Sequence, residues 1–410
     1  MLRVLFLIPT QTYRAGLFLD AAQKLNLEAV VGSDQRQTLE AFTPGKSLAL
    51  NFYNLEQAKQ KIVAFCKTYP IDAIIPVDDD TAVLAATASQ ALSLPGNPPE
   101  SVQIAREKHR LREQLARAGL PTPKFQLFST ADNPKDLSGL VDFPCVLKPV
   151  FLSASRGVIR ANDSKEFVAA FKRITRLLNE PEIVKRGRTL AKKILVESYI
   201  PGDEFVLEGM LTHEKLKVLA IFDKPDPLEG PFFEETIYVT PSRFPQQVQA
   251  TIIDCVDQAA KAIGLRHGPI HAEIRVNKRG SWLIELAARS IGGLCSRSLR
   301  FDGGISLEEL TLRHALGMNI DSIQREKLAS GVMIIPIPKA GILKKVRGIA
   351  EALAVPNIED VRITIALEQK LVPWPEGNRY LGFIFARGET FEEVERAIRK
   401  SYHRLNFVIE

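Results

Sequence analysis

The sequence predicts a mixed α/β protein on three observations. Short apolar runs alternate with stretches of helical spacing over residues 1–95, strands dominate residues 125–223, and alternation returns from about residue 330. Alternating elements build a parallel sheet with helices on its faces, whereas consecutive strands build antiparallel sheets. The 410 residues allow two to four domains or subdomains at roughly 100–200 residues each. With 45% hydrophobic and 25% charged residues, the composition is globular rather than disordered or coiled-coil. No apolar run approaches the ~18–20 residues of a spanning helix. The run at 4–8 is too short for a secretory leader and reads as a buried strand.

In residues 1–95 that strand is followed by a helix over 13–25, a strand at 29–31 and a helix over 55–69. A strand over 71–77 then ends at Asp78, Asp79 and Asp80, and a helix runs to about residue 92. No GxGxxG follows the first strand, so a dinucleotide site is not indicated. Pro95, Gly96, Asn97, Pro98 and Pro99 punctuate the end of the unit. One long helix is expected over 100–124, then a strand-rich region to about 200 with a helix over 164–178 capped by Ser164. Hairpin strands follow at 205–211 and 216–222. Residues 224–245 are proline-rich and carry Glu229, Glu234 and Glu235 around Phe232 and Phe233, which suits a functional loop or lid. A helix over 246–263 precedes strands at 270–276 and 282–286, joined by a turn at 277–280, and residues 306–316 are helical. The last unit has strands at 332–336, 361–366 and 381–386 and a helix over 390–405. The expected domains are 1–95, 96–329 with a smaller lobe at about 125–200, and 330–410.

Four cysteines, Cys66, Cys145, Cys255 and Cys295, are far apart, without CxxC or Cys/His spacing. That pattern argues against a disulfide framework or zinc site and for buried thiols in a reducing cytoplasm. Residues 101–200 carry 19 Lys/Arg against 10 Asp/Glu, so the overall +6 is concentrated there. A basic middle third suits an anionic ligand. Aromatic residues are only 7% and no stacking motif accompanies the basic stretch, so a polyphosphate fits with fewer assumptions than nucleic acid.

The sharpest chemical signal is Glu273 and Glu285, twelve residues apart on neighbouring strands with a Lys-Arg-Gly turn between. In an antiparallel hairpin two such side chains can meet on one face. Like charges set among apolar residues repel unless a cation lies between them, and carboxylates sharing Mg²⁺ with phosphate oxygens resolve the conflict. The alternative is a solvated strand face. Lys148 ends an apolar strand before Pro149, where a phosphate is a suitable partner. The small, flexible stretch at 151–158 suits backbone contact with phosphates, although an ordinary strand-turn-strand accounts for it equally, and no GxxxxGK[ST] is present. Glu197 ends a strand before the Pro201-Gly202 turn and Glu204; a plain strand and turn explains this fully. Arg289, ahead of Gly292 and Gly293, suits anion capture or a surface turn. His271 shares a strand face with Glu273, where it reaches substrate or sits as a hydrogen-bonded core histidine.

In this order the residues give a chain that resembles the ATP-grasp superfamily, and within it carboxylate–amine ligases of the L-amino-acid ligase type. The resemblance runs from Lys108 and its helix through the turn at 119–123, the Lys148 strand and residues 197–204 to Glu273, Glu285 and Arg289, covering roughly residues 100–316 closely. It implies two α+β lobes gripping ATP, a Rossmann-like N-terminal domain and a small C-terminal α/β domain. It further implies that Lys108 and Lys148 contact ATP phosphates, and that Ser153, Ser155, Arg156 and Gly157 form a mobile loop over the triphosphate. Glu197, Tyr199 and Ile200 would frame the adenine, and Glu204 would hold the ribose. Glu273 and Glu285 would bind Mg²⁺, with Mn²⁺ as the alternative ion. Arg289, with Lys148, would act in catalysis by steadying the transferred phosphate. Gly292, Gly293, His271 and either Glu234 or Glu235 are candidates for the substrate; the two glutamates serve equally as a solvated acidic patch. One position departs from the family's pattern: Ala287 stands where an Asn two residues after the second metal Glu is common.

The implied reaction is attack of a carboxylate on the γ-phosphate of ATP, giving an acyl phosphate, then attack of an amine on the acyl carbon. The expected partners are thus small-molecule carboxylate and amine substrates, with neither nucleic acid nor membrane, and a homodimer as an open arrangement. Other readings are a purine-pathway or carboxylase-like relative and, motivated by Ala287, a nucleotide-binding regulatory protein without turnover.

Overall fold

The computed structural model describes residues 1–34 and 47–410. Arg3–Ile8 forms a strand because Val4, Leu5, Phe6 and Leu7 are all sealed from solvent, as a central parallel strand requires. It pairs in parallel with Glu28–Ser33 on one side and Ala73–Pro76 on the other. Ser47–Ala49, a strand not expected from sequence, completes the order Ser47–Ala49, Glu28–Ser33, Arg3–Ile8, Ala73–Pro76. Helices Ala15–Lys24, Leu55–Thr68 and Asp79–Ala91 cover this sheet. The last begins where a strand ends, so Asp79 enters its first turn at the carboxyl edge of the parallel sheet, where α/β proteins gather ligand-facing residues.

The expected long helix over 100–124 is two helices, Pro99–Arg106 and Lys108–Arg117, divided at Glu107, whose backbone is extended (φ −97°, ψ 101°). The break has a physical cause: the Lys108 N–H leaves the helical ladder and donates to Val150 O at 2.9 Å. This anchors Lys108 beside the Lys148 strand.

A four-stranded antiparallel sheet follows, in the order Phe125–Ser129, Lys193–Ser198, Cys145–Pro149, Ile159–Ala161. Helix Ser164–Leu178 backs it, burying Phe167, Phe171, Ile174 and Leu178. Its cap is Asp163 rather than Ser164; the Asp163 carboxylate accepts the Glu166 N–H at 2.8 Å. An aspartate oxygen reaches the exposed donors of the first turn as a serine would, one residue earlier.

The largest sheet has eight antiparallel strands in the order Gly280–Ala287, His267–Asn277, Asp203–Thr212, Lys215–Asp223, Ile237–Thr240, Ala329–Ile335, Gly382–Gly388, Ile358–Ile363. The segment 224–245 is therefore not wholly loop. Its Ile237–Thr240 strand pairs with both Lys215–Asp223 and Ala329–Ile335, so part of the C-terminal region extends the central sheet, while Gly341–Arg347, Lys370–Leu371 and Asn406–Ile409 form a small antiparallel sheet of their own. Helix Gln246–Ile263 packs on one face through Ile252, Val256, Ala259 and Ile263, together with Val102, Leu111 and Leu115. Helix Phe391–Tyr402 covers the C-terminal strands through Val394 and Ile398. Among the described residues no helix is long and apolar enough to cross a membrane.

Candidate functional site

The hairpin His267–Asn277 and Gly280–Ala287 sets the geometry. Asn277 pairs with Gly280, Val276 with Ser281, Arg275 with Trp282 and Ile274 with Leu283. A regular ladder would next oppose Glu273 to Ile284 and throw Glu285 onto the other face. Instead a bulge absorbs Ile284, and Glu273 stands directly opposite Glu285. Arg112, buried on helix Lys108–Arg117, fixes the bulge by donating to Ile284 O at 2.7 Å and Leu283 O at 3.1 Å.

Both carboxylates face a cleft between the four- and eight-stranded sheets, whose lining includes Lys108, Lys148, Ser155, Glu197, Tyr199, Ile200 and Glu204. Lys108 Nζ lies 3.2 Å from Glu285 and donates to Leu152 O at 2.7 Å. Lys148 Nζ lies 2.5 Å from Glu197, whose carboxylate also receives Arg112 at 2.7 Å. Burial pushes the Glu197 carboxyl up, but Arg112 and Lys148 outweigh it and hold the group at about 2. Burial draws the Lys148 ammonium down against the pull of Glu197.

A second group of charges surrounds Lys224. Its ammonium lies 2.7 Å from Glu204, 2.7 Å from Glu235 and 3.8 Å from Glu273. Burial opposes its charge, yet the three carboxylates raise its pKa well above the ordinary lysine value. Burial likewise pushes Glu204 and Glu273 up, and the cations reverse it, so both carboxyls lie below their usual range. Arg275 adds a 2.7 Å contact to Glu204. Oxygens of Glu204, Glu235 and Glu273 come within 4.8 Å of one another. Lys224 supplies the cation among these three, whereas Glu273 and Glu285, hard oxygens beside Lys108, fit a divalent cation carrying phosphates.

Other expected residues divide. Ser153 lines an adjoining cavity with Asp79, Lys108, Glu285 and Ala287. Arg156 is turned away from the cleft: its guanidinium donates to Glu376 O at 2.8 Å and to Glu180 at 3.1 Å. Gly157 is required by φ 75° and because a Cβ there would meet Pro149 and Leu177 at 2.8–2.9 Å. Arg289 makes a bidentate contact with Asp79 at 2.9 and 2.7 Å. Burial pushes Asp79 up, but Arg289 and its neighbours hold it at about 2. Of the two candidate glutamates only Glu235 faces this cluster. Glu234 is a correction: it sits against the Ile337 main chain with one oxygen buried and unpartnered, and burial raises its pKa. His271 is held by Glu208 through Nδ1, with Nε2 3.7 Å from Glu273. Burial opposes its charge, but Glu208 and Glu273 push it up to about 9. It is the hydrogen-bonded core histidine, within ion-pair distance of the site. Gly293, at φ 59°, packs under Phe383, and a Cβ on Gly292 would meet open space.

Sequence reasoning missed Arg112, Asp79, Arg275 and Lys224. Lys224 repeats the signal of Lys148, a lysine closing an apolar strand just before a proline. The others were hidden because their partners are remote in sequence.

Three family models match the chain. Residues 19–96 match the ATP-grasp N-terminal domain, 141–298 the ATP-grasp domain, and 333–410 the L-amino acid ligase C-terminal domain 2. Alanine–anticapsin ligase of Bacillus subtilis is 26% identical over 270 residues, covering 63% of this chain and 56% of that protein. Dapdiamide A synthase of Enterobacter agglomerans is 27% identical over 240 residues, 57% of this chain and 54% of that one. The chain thus spans little more than half the length of these curated ligases. The crystal structure of L-amino acid ligase from Bacillus licheniformis superposes with a TM-score of 0.81 at 25% identity, over 100% of this chain and 99% of that one. The fold is that of an ATP-grasp protein. Within that superfamily its C-terminal residues match an L-amino acid ligase domain, and the chain is similar to an L-amino acid ligase and to an alanine–anticapsin ligase.

Proposed function

We propose that this chain is a carboxylate–amine ligase that joins an amino acid, or a similar small carboxylate, to an amine through an acyl phosphate. The carrying observation is the Glu273–Glu285 pair, aimed by a bulge into the same cleft as Lys108 and Lys148. In this reading Glu273 and Glu285 hold Mg²⁺, or Mn²⁺ in its place. A bound divalent ion supplies positive charge against the ATP phosphates, which would otherwise repel an incoming carboxylate. Ala287 offers no side-chain donor atom, so this chain would supply one ligand fewer to the ion at that position.

The chain's own groups do the rest. Lys108 and Lys148 orient and neutralise the phosphates. Tyr199, Ile200 and Glu197 frame the base, and Glu204, steadied by Lys224 and Arg275, faces the sugar. Arg289, positioned by Asp79, stabilises charge on the transferred phosphoryl group. Glu235 is the acid available to a substrate ammonium. The Ser153 and Ser155 stretch covers the phosphates and excludes water while the acyl phosphate exists.

The test is ADP release by purified protein across a panel of amino-acid pairs, with mass spectrometry of the products. ADP formed together with a dehydrated pair of substrates is expected, and Glu285→Gln should abolish both. Absence of ADP release with every pair, alongside release with bicarbonate or phosphoribosylamine, would refute this substrate class.

A further inference from the structure

The loop over the cleft is held from far away in the sequence. Ala154 and Ser155 adopt φ of 56° and 52°, left-handed conformations that L-residues with a Cβ avoid. Such backbone persists only where surrounding structure enforces it. The enforcing contacts come from one C-terminal segment. Trp374 Nε1 donates to Ala154 O at 2.8 Å. Gly157 N–H donates to Pro375 O at 2.8 Å. Arg156 Nε donates to Glu376 O, and the Glu376 carboxylate grips Arg173 at 2.5 and 2.7 Å.

That segment is itself braced. The Trp374 ring is buried and stacks on Tyr380 at 5.0 Å. Tyr380 packs against Phe383, which meets Tyr13 edge-on at 5.8 Å, and the Tyr380 N–H donates to the Tyr13 hydroxyl. A chain of rings therefore links the N-terminal domain, the C-terminal strands and the loop that carries Ser153 and Ser155.

We propose that Trp374 and Glu376 are positioning residues of the phosphate loop: through them the C-terminal domain fixes the 153–157 backbone over the cleft and keeps water from the reacting centre. The first half stands on the contacts alone; the second rests on the ligase reading. If the loop loosens, a water oxygen bonds to the acyl carbon, the acyl–phosphate oxygen bond breaks, and phosphate leaves with the free carboxylate. One ATP is then spent with no amide formed.

Two conservative variants separate the roles. Trp374→Phe keeps the ring stack and removes only the donor to Ala154 O. Glu376→Gln keeps the main-chain carbonyl and removes the charge opposite Arg173. Both should leave the melting temperature close to that of the parent protein. Amide hydrogen exchange at residues 155–158 should rise about ten-fold, the effect of losing one restraining hydrogen bond. In the turning-over enzyme the ADP formed per amide should rise several-fold while kcat for ADP release holds, a split that a general loss of folded protein does not produce. Unchanged exchange in both variants would overturn the proposal, as would raised exchange with an unchanged ADP-to-amide ratio. Failure of the ligase reading is seen separately, in a parent protein that forms no amide.

Discussion

Arg112→Met is the most informative single perturbation. The guanidinium is 1% exposed and satisfies three acceptors: the buried Glu197 carboxylate and Leu283 O, and the half-buried Ile284 O. Removing one partner of a buried ion pair costs about 3–5 kcal/mol. Lys148 stays 2.5 Å from Glu197, which favours the lower end. Two orphaned carbonyls add about 1 kcal/mol each, and the buried methionine returns about 1–2 kcal/mol. The net loss is about 3–4 kcal/mol, a fall in melting temperature of roughly 4–5 °C at about 1.2 °C per kcal/mol for a chain of 410 residues. The functional effect is separate. Without its clamp the Ile284 bulge relaxes toward a regular ladder, which turns Glu285 away from Glu273. The Mg²⁺ concentration for half-maximal ATP binding should rise about ten-fold or more, consistent with losing one carboxylate ligand. Thermal scans with and without Mg·ATP, with a metal titration of nucleotide binding, read both effects. A fall below about 2 °C with an unchanged metal requirement would refute the reasoning.

Three further outcomes follow from the same geometry. Glu285→Gln should abolish ADP formation at almost unchanged melting temperature, because Glu285 is partly exposed and keeps Lys108 as a hydrogen-bond donor; retained turnover would remove it from the site. Lys148→Ala should raise KM for ATP markedly, and an unchanged KM would exclude a phosphate contact. Burial, together with His267 and His213, lowers His314 to about 4, with Asp321 opposing. An unfolded histidine titrates near 6.5, so the unfolded chain binds the extra proton first. Stability is then full above about pH 6.5 and falls toward pH 4 by about 2 kcal/mol after screening. Asp79 and Glu197, held at about 2, remain ionised across that window. His314→Gln should flatten the loss of melting temperature between pH 7 and 5, and an identical slope would contradict the assignment.

Much of the fold was legible because its signals are local. The period of 246–263 marked a helix that the structure bounds at Gln246–Ile263, and the apolar run at 4–8 marked the central parallel strand. What escaped depends on distant partners. The helix break at Glu107 is set by Val150 O, and the continuation of the central sheet into the C-terminal strands is set by pairing at Ile237–Thr240. In the site, the spacing of Glu273 and Glu285 suggested a shared face, but the counted register from the turn places them on opposite faces. Only the Ile284 bulge, clamped by Arg112, brings them together. Glu234 and Glu235 could not be told apart by composition; strand alternation at the entry to Ile237–Thr240 points one at Lys224 and the other at the Ile337 main chain.

The most direct measurement is Mn²⁺ binding followed by electron paramagnetic resonance, with ATP present, in the parent protein and in Glu273→Gln/Glu285→Gln. Mn²⁺ should bind tightly with nucleotide to the parent and lose affinity by about a hundred-fold or more in the double variant, as expected for two lost carboxylate ligands. Equal affinity in the two proteins would contradict the central assignment, that these paired carboxylates hold the ion that anchors ATP.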